Sequence, residues 1–296
     1  MRRMRKMLRL LLLSLVIMPA LTAAQNTQLA STDLNAADRQ RTEQAVAALQ
    51  PQRKGVVDAY VVVIALDSDA VFNREAREAG RVLARRFDAA GRTIVLASDE
   101  GTDKGNAPSS TQDLASALRG VAHVMDRRED VLVLYTTSHG IPNGGLVYKD
   151  ARRGEAVISP PLFAQLLDSL DLKNRLLILQ ACFSGQFVPA LEDAGTIVVT
   201  AAAQDRSSFG CQAGNDWTLF GTALINHAMR QPLPLDVQVR RAIALIAAAE
   251  DRAGLEPSNP QISIGEGTAA WVNALDQREP KVGTAPVGQP IQGLGI

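Results

Sequence analysis

Residues 175–185 read RLLILQACFSG. From Arg175 to Gln180 the apolar residues run together without alternation, which fits a strand buried on both faces, as in a parallel sheet. The strand ends in Ala181-Cys182, and Gly185 then permits a tight turn. A second stretch has the same grammar: residues 130–136, DVLVLYT, run into Ser138-His139-Gly140. In open parallel sheets, sites lie outside the carboxyl ends of the strands. His139 is one of three histidines and Cys182 one of two cysteines, and both fall at such ends. Consecutive buried strands commonly lie side by side, about 4.8 Å apart. The spacing therefore predicts that the loops after these two strands hold His139 and Cys182 within reach of each other.

Outward from this pair the chain keeps alternating. Asp58 to Leu66 (DAYVVVIAL), Thr93 to Ala97 and Thr196 to Thr200 are further apolar, β-branched runs, and Gln261 to Ile264 is a short last one. Between them Arg74 to Phe87, Thr111 to Met125, Pro160 to Leu170, Trp217 to Met229 and Val237 to Glu250 read as helices. Ser159, before Pro160, is placed as an N-cap. Asn143-Gly144-Gly145 predicts a hairpin turn before Leu146-Val147-Tyr148. Such alternation predicts an α/β fold: a three-layer sandwich, its mostly parallel sheet of about six strands covered by helices on both faces.

Composition narrows the function. The 296 residues hold 31 basic and 31 acidic side chains, with 46% hydrophobic and 21% charged residues. A wholly disordered chain is excluded, and a general nucleic-acid binder, which would be strongly basic, gains no support. Two cysteines exclude a disulfide-framed scaffold and a multi-Cys zinc domain. The charge is uneven, however. Residues 1–24 carry Arg2, Arg3, Arg5, Lys6 and Arg9 with no acid, and Leu10 to Ala24 is almost wholly apolar, ending in small residues. This predicts a secretory signal peptide over 1–24, and so a periplasmic or secreted protein. The alternative is an uncleaved N-terminal membrane anchor, although the run falls short of a span's roughly 20 residues. Removing the segment would leave five more acids than bases. Residues 25–55 read as a polar leader containing a short helix between Thr32 and Leu49, residues 56–276 as the domain, and residues 277–296, Pro- and Gly-containing without periodicity, as a flexible tail. No second stretch is apolar enough to span a bilayer, so the mature chain is expected to have no membrane span.

Chemistry has a use for a Cys/His pair. A thiol with an ordinary pKa of about 8.5 is mostly protonated at neutral pH. A nearby imidazole takes that proton, the thiolate attacks a carbonyl carbon, and the imidazolium then protonates the leaving amine. The oxyanion needs fixed donors. Gly140, lacking a Cβ, lets a carbonyl approach its N–H, and the N–H of Cys182 is the natural second donor. The competing reading is that Cys182 is a small buried hydrophobe and His139 an ordinary loop residue. Cys211 is the one possible disulfide partner of Cys182, and such a bridge would exclude the dyad. His123 and His227 fall within helices and read as structural. Asp99 to Asp103 resembles a fragment of a calcium loop but lacks its terminal Glu. No metal site or cofactor is expected.

The motifs also carry a resemblance. Gln180-Ala181-Cys182 matches the start of the caspase signature, whose His lies about 50 residues upstream; here the separation is 43 residues, and Phe183-Ser184-Gly185 departs from the caspase ending. Together, Thr137-Ser138-His139-Gly140, residues 180–185 (QACFSG), Ser207-Ser208-Phe209-Gly210-Cys211, Phe220-Gly221 and residues 257–265 (PSNPQISIG) are similar to the legumain family of cysteine peptidases, in particular its prokaryotic members. The resemblance covers about residues 57–270. It implies a caspase-like fold and a cysteine endopeptidase with His139 and Cys182 as its dyad, acting on protein or peptide substrates. The same parts would also serve a transamidase or peptide ligase, and the same fold a non-catalytic interaction protein. Oligomeric state is left open.

In legumains the pocket for the residue before the cut uses an Arg after the first strand, a Glu after the catalytic Cys and an Asp downstream. Arg74 matches the Arg, while Phe183 and Thr222 stand where the two acids are expected. Ser207 and Ser208 match a pocket-lining serine pair. An unpaired guanidinium suits a carboxylate, so this reading expects a pocket for an acidic or small polar residue; pairing of Arg74 with Glu75, Glu78 or Asp99 would instead leave the pocket neutral. The family Asn two residues before the Arg falls on Phe72, with Asn73 adjacent.

Overall fold

A sheet covered on both sides needs strands that are apolar on both faces, and β1 (Ala59–Ala65) has every side chain buried. Successive side chains point to opposite faces of a strand. Ala59, Val61, Val63 and Ala65 therefore enter one core, and Tyr60, Val62 and Ile64 the other. Before β1 comes a helix over residues 38–47 (α1). After it follow α2 (Ala70–Arg86), β2 (Thr93–Leu96), α3 (Thr111–Val124), β3 (Val131–Thr137), β4 (Gly140–Ile141), β5 (Gly145–Asp150), β6 (Gly154–Ile158), α4 (Pro160–Asp168), β7 (Asn174–Gln180), α5 (Val188–Leu191), β8 (Thr196–Thr200), α6 (Leu235–Ala253), β9 (Gln261–Ile264) and α7 (Ala269–Asp276). The computed structural model describes residues 36, 38–98, 109–150 and 153–296. The signal-like segment, the first part of the leader and the loop 99–103 lie outside the described residues.

Six strands form the main sheet in the order β2-β1-β3-β7-β8-β9. All neighbours are parallel except β8 and β9. Val71, Phe72, Val82 and Leu83 of α2, with Val239 and Ile246 of α6 and Trp271 of α7, cover one face. Leu114, Leu118 and Val121 of α3, with Phe163 and Leu167 of α4, cover the other. This is the expected three-layer α/β sandwich, with a mostly parallel six-stranded sheet. Burying each of these large apolar side chains contributes about 1.5–3 kcal/mol, which is why the long apolar runs decide the fold. A small second sheet, β4-β5-β6, stands at the carboxyl end of β3. Its first turn is the predicted hairpin, with Asn143 at φ 55° and Gly145 at φ 141°.

Several details differ from expectation. Helix α2 starts at Ala70, four residues before the expected Arg74. The polar Asp67-Ser68-Asp69 masks the start, yet Val71 and Phe72 already belong to its buried face. The helix expected over Trp217 to Met229 is not a regular α-helix: Gly221–His227 is π-helical and Ala228–Arg230 tightens to 3-10 geometry. β6 and α7 were not expected, being short and, for β6, largely exposed. The part of the leader that is described packs onto the domain: Thr42 donates to Asp113 at 3.1 Å, and Val46 fills the space beside Gly120.

The tail also departs from its reading as flexible. Residues 277–296 form no helix or strand, but they lie against the domain. Ile291 and Leu294 are buried in the core on the α2 side, and the Val287 carbonyl accepts hydrogen bonds from Trp217 Nε1 (3.0 Å) and Asn226 Nδ2 (2.9 Å). Periodicity misses such a segment because two apolar anchors and a few backbone bonds suffice to dock it.

Candidate active site

In the sheet order the chain steps from β1 outward to β2, then returns to the other side of β1 for β3. The crevice at such a reversal, outside the carboxyl ends of the strands, is the usual place for a site in this architecture. The loops after β1, β3 and β7 all open there. In the β3–β7 register Thr137 is opposite Gln180. His139 and Cys182 each lie two residues beyond that pair, so adjacent parallel strands deliver them side by side. The seam is tied further: Ser138 N donates to the Gln180 carbonyl (3.1 Å), and Thr137 Oγ1 to Gln180 Oε1 (3.0 Å). Gly140 closes it. A Cβ at this position would run into the carbonyl oxygen of Cys182, so the backbones of the two loops meet at this glycine. Close approach, rather than an unusual φ, is what requires glycine here.

The imidazole of His139 is flanked by the N-cap and first turn of α2. Phe72 meets its ring edge-on, with centroids 4.9 Å apart and planes at 87°. Asp69 Oδ2 stands 3.6 Å from Nε2. Behind them Asp67 is fully buried, its Oδ1 accepts the Asp69 N–H at 2.9 Å, and its Oδ2 has no hydrogen-bond partner. Burial pushes the Asp67 carboxyl above the usual carboxylate range, and the neighbouring charge of Asp69 adds to this. One ligand atom each from Asp67, Asp69 and His139 lies within 4.8 Å of the others, close enough to share a cation. The same arrangement of carboxylate and imidazole is also how a general base is oriented.

Cys182 is partly buried and is a free thiol, as is Cys211. Its Sγ accepts from Ser208 N (3.3 Å) and donates to the Ser208 carbonyl (3.4 Å). The next residue, Phe183, takes the left-handed conformation (φ 59°, ψ 15°), uncommon for a non-glycine residue, and its N–H donates to the Arg206 carbonyl at 2.8 Å. Gly185 N donates to the Ala202 carbonyl (2.9 Å), and any Cβ there would press on the backbone of Ala203 and Gln204. The loop 201–208 thus braces the turn that presents the thiol. Burial raises the Cys211 thiol above its ordinary pKa, with further contributions from Cys182, Asp69 and Asp67, so Cys211 sits within electrostatic reach of the site.

The expected pocket residues separate into two groups. Arg74 is not left unpaired. Its guanidinium donates to the carbonyls of Ala213 and Asn215, each at 2.5 Å, and its Nε is 3.4 Å from Asp216 Oδ1. The acid beside it is Asp216, which the sequence reading passed over. The signal was its place just after the Ser207–Cys211 motif, immediately before Trp217. Ser208 touches Cys182 directly, and Ser207 is exposed beside it. Thr222, by contrast, is only 3% exposed within the π-helical turn, where its N–H bonds the Thr218 carbonyl. It belongs to the core and not to a pocket wall. Glu75, next to Arg74, also faces inward: fully buried, it accepts from Tyr135 Oη (2.6 Å) and from Thr218 N and Oγ1 (2.8 Å each). Of the remaining histidines, His123 is exposed on α3 and His227 lies at the end of the π-helical turn, its pKa lowered chiefly by burial.

Comparison with known proteins bears on the same segment. Residues 107–241 match the Peptidase C13 family. Among solved structures the chain is similar to Caspase-1 from Spodoptera frugiperda, at 16% identity over 73% of this chain and 93% of that one, with a TM-score of 0.44. No curated protein matches it in sequence. His139 and Cys182 both lie inside the stretch that matches the Peptidase C13 family, the legumain family of cysteine peptidases.

Proposed function

We propose that the chain is a cysteine endopeptidase in which Cys182 is the nucleophile and His139 the general base and acid. The observation that carries this reading is the backbone contact of Gly140 with Cys182 at the aligned ends of β3 and β7. His139 takes the thiol proton, and Cys182 Sγ bonds to the scissile carbonyl carbon. The backbone N–H groups of Gly140 and Cys182 hold the oxyanion. Collapse expels the amine, which leaves with the proton from His139, and a thioester remains. Water, deprotonated by His139, then releases the acid and restores the thiol. The basic and apolar residues of 1–24 support a periplasmic or secreted location for this activity; among the described residues no helix is long and apolar enough to cross a membrane.

Arg74 and Asp216 give the pocket for the residue before the cut both a donor and an acceptor. Together they favour a side chain that carries both, such as the amide of Asn, over a carboxylate, and this replaces the acidic preference that an unpaired Arg74 would have given. Arg74→Ala is expected to raise KM for an Asn peptide by about tenfold, the scale of one charge-assisted contact. Cleavage of a peptide library checks the preference; strict selection of Asp or Glu would sink the mixed-charge pocket. The test of the function itself is labelling with a peptide-based thiol electrophile followed by mapping of the adduct. Modification should fall on Cys182, spare Cys211 and slow by at least ~100-fold in His139→Ala. Equal labelling with and without His139 would overturn the dyad.

A further inference from the structure

We propose that Asp69 is a positioning residue for catalysis, fixing the ring and tautomer of His139. The proposal rests on the Cys182/His139 reading above. Asp69 occupies the N-cap of α2, where an aspartate ordinarily accepts an N–H of the first helical turn. Here its side chain makes no capping hydrogen bond. It is directed to His139 instead, with Oδ2 at 3.6 Å from Nε2. Its backbone is held where that requires. Asp69 N bonds Asp67 Oδ1 (2.9 Å), Asn73 Nδ2 bonds the Asp69 carbonyl (3.1 Å), and Ser98 N in turn bonds Asn73 Oδ1 (2.7 Å). Ser68 N bonds the Lys149 carbonyl (2.9 Å), which ties the same loop to β5. Phe72, one turn into α2, supports the ring from the side. A helix start that forgoes its cap, on a loop tied in this way, is arranged for another partner.

The chemical consequence follows from the two ring nitrogens. In a neutral imidazole one nitrogen carries the proton and the other the lone pair. A carboxylate at Nε2 holds the proton there, so Nδ1 presents the lone pair that takes the Cys182 proton. Once Nδ1 is protonated, the carboxylate faces the new positive charge. Nδ1 later passes its proton to the leaving amine. The groups that share this field are Asp67, Lys149, Cys182 and Cys211. The side chains of His139 and Asp69 are 38% and 43% exposed, and their separation is just beyond hydrogen-bond length. Catalytic hydrogen bonds tighten when substrate covers the site, and a peptide lying over this crevice would exclude water from the pair.

The experiment is steady-state hydrolysis of a fluorogenic peptide by the full chain carrying Asp69→Ala, Asp69→Asn or Asp69→Glu, in buffer containing a chelator. Asp69→Ala is expected to lower kcat by about 10- to 100-fold with KM within about twofold. Asp69→Asn, whose amide oxygen still accepts from Nε2–H, should recover part of that loss. Wild-type kcat in Asp69→Ala would overturn the proposal, as would a rise in KM at constant kcat, which would make Asp69 a substrate contact. Should Asp69→Ala fail to fold by circular dichroism, the isosteric Asn variant decides, and unchanged kcat there overturns it. Failure of the parent reading is distinguishable: an active Cys182→Ala protein removes the dyad whatever the Asp69 variants do.

Discussion

Replacing Cys182 with alanine is expected to lower kcat/KM for peptide hydrolysis by at least ~10³-fold, the scale on which removing a nucleophile leaves only binding and oxyanion donors at work. Thermal unfolding should barely move. The sulfur is partly exposed, and the bonds it makes are two long contacts to the Ser208 backbone; sulfur is a weak donor and acceptor. The turn that presents it is held by main chain, through Phe183 N and Gly185 N, and survives the loss of a thiol. His139→Ala should lose activity on a similar scale, and the double variant little more, because the two residues act as one unit. Kinetics with a fluorogenic peptide and a parallel melting curve check both halves. Activity within tenfold of wild type in Cys182→Ala would show that the thiol is not the nucleophile.

The second large effect concerns stability. Glu75→Ala is expected to cost about 3–5 kcal/mol, measured by urea unfolding. It strands Tyr135 Oη and both Thr218 donors in the core, each unmet group costing ~1–3 kcal/mol, and leaves a cavity besides. Glu75 is also the fastening between α2 and the segment that follows the pocket loop; Gly221 has no room for a Cβ against its carboxylate. Burial, outweighing the opposing hydrogen bonds, raises the Glu75 carboxyl above its unfolded value. The folded state therefore holds that proton more tightly than the unfolded state. The protonation-linked contribution to stability is full below the unfolded pKa of about 4.3 and is lost as pH rises through the higher folded value. Glu75→Gln, which cannot ionise, should flatten that part of the wild-type stability curve. A wild-type curve with no such fall relative to Glu75→Gln would show that burial does not govern this carboxyl.

Much of the fold was legible because a doubly covered sheet leaves long apolar runs, as in residues 59–65 and 175–180. His139 and Cys182 were legible for a related reason: scarce residues at the ends of such runs stand out. What stayed hidden depends on contacts between distant residues. The pairing of Arg74 with Asp216 spans more of the chain than any periodicity can show. The register from the Arg backward pointed to Phe72 and Asn73, whereas the side chains gathered at His139 are Phe72 and Asp69, from a stretch that reads as loop. Thr222 was misplaced because it was counted along the sequence from Phe220-Gly221, and the π-helical turn carries it into the core. The tail was misread because its two anchoring residues, Ile291 and Leu294, have no period.

The glycine at the seam between β3 and β7 has a mechanical consequence. Cys182 and His139, the pair proposed as nucleophile and base, lie just past neighbouring central strands, and the backbones of their loops meet at Gly140. Their backbones are thereby tied to the β3–β7 pairing in the middle of the sheet. Central strands are commonly among the last parts of a protein to exchange their amide protons. The backbone alignment of the proposed pair is therefore expected to last as long as the core strands that carry it.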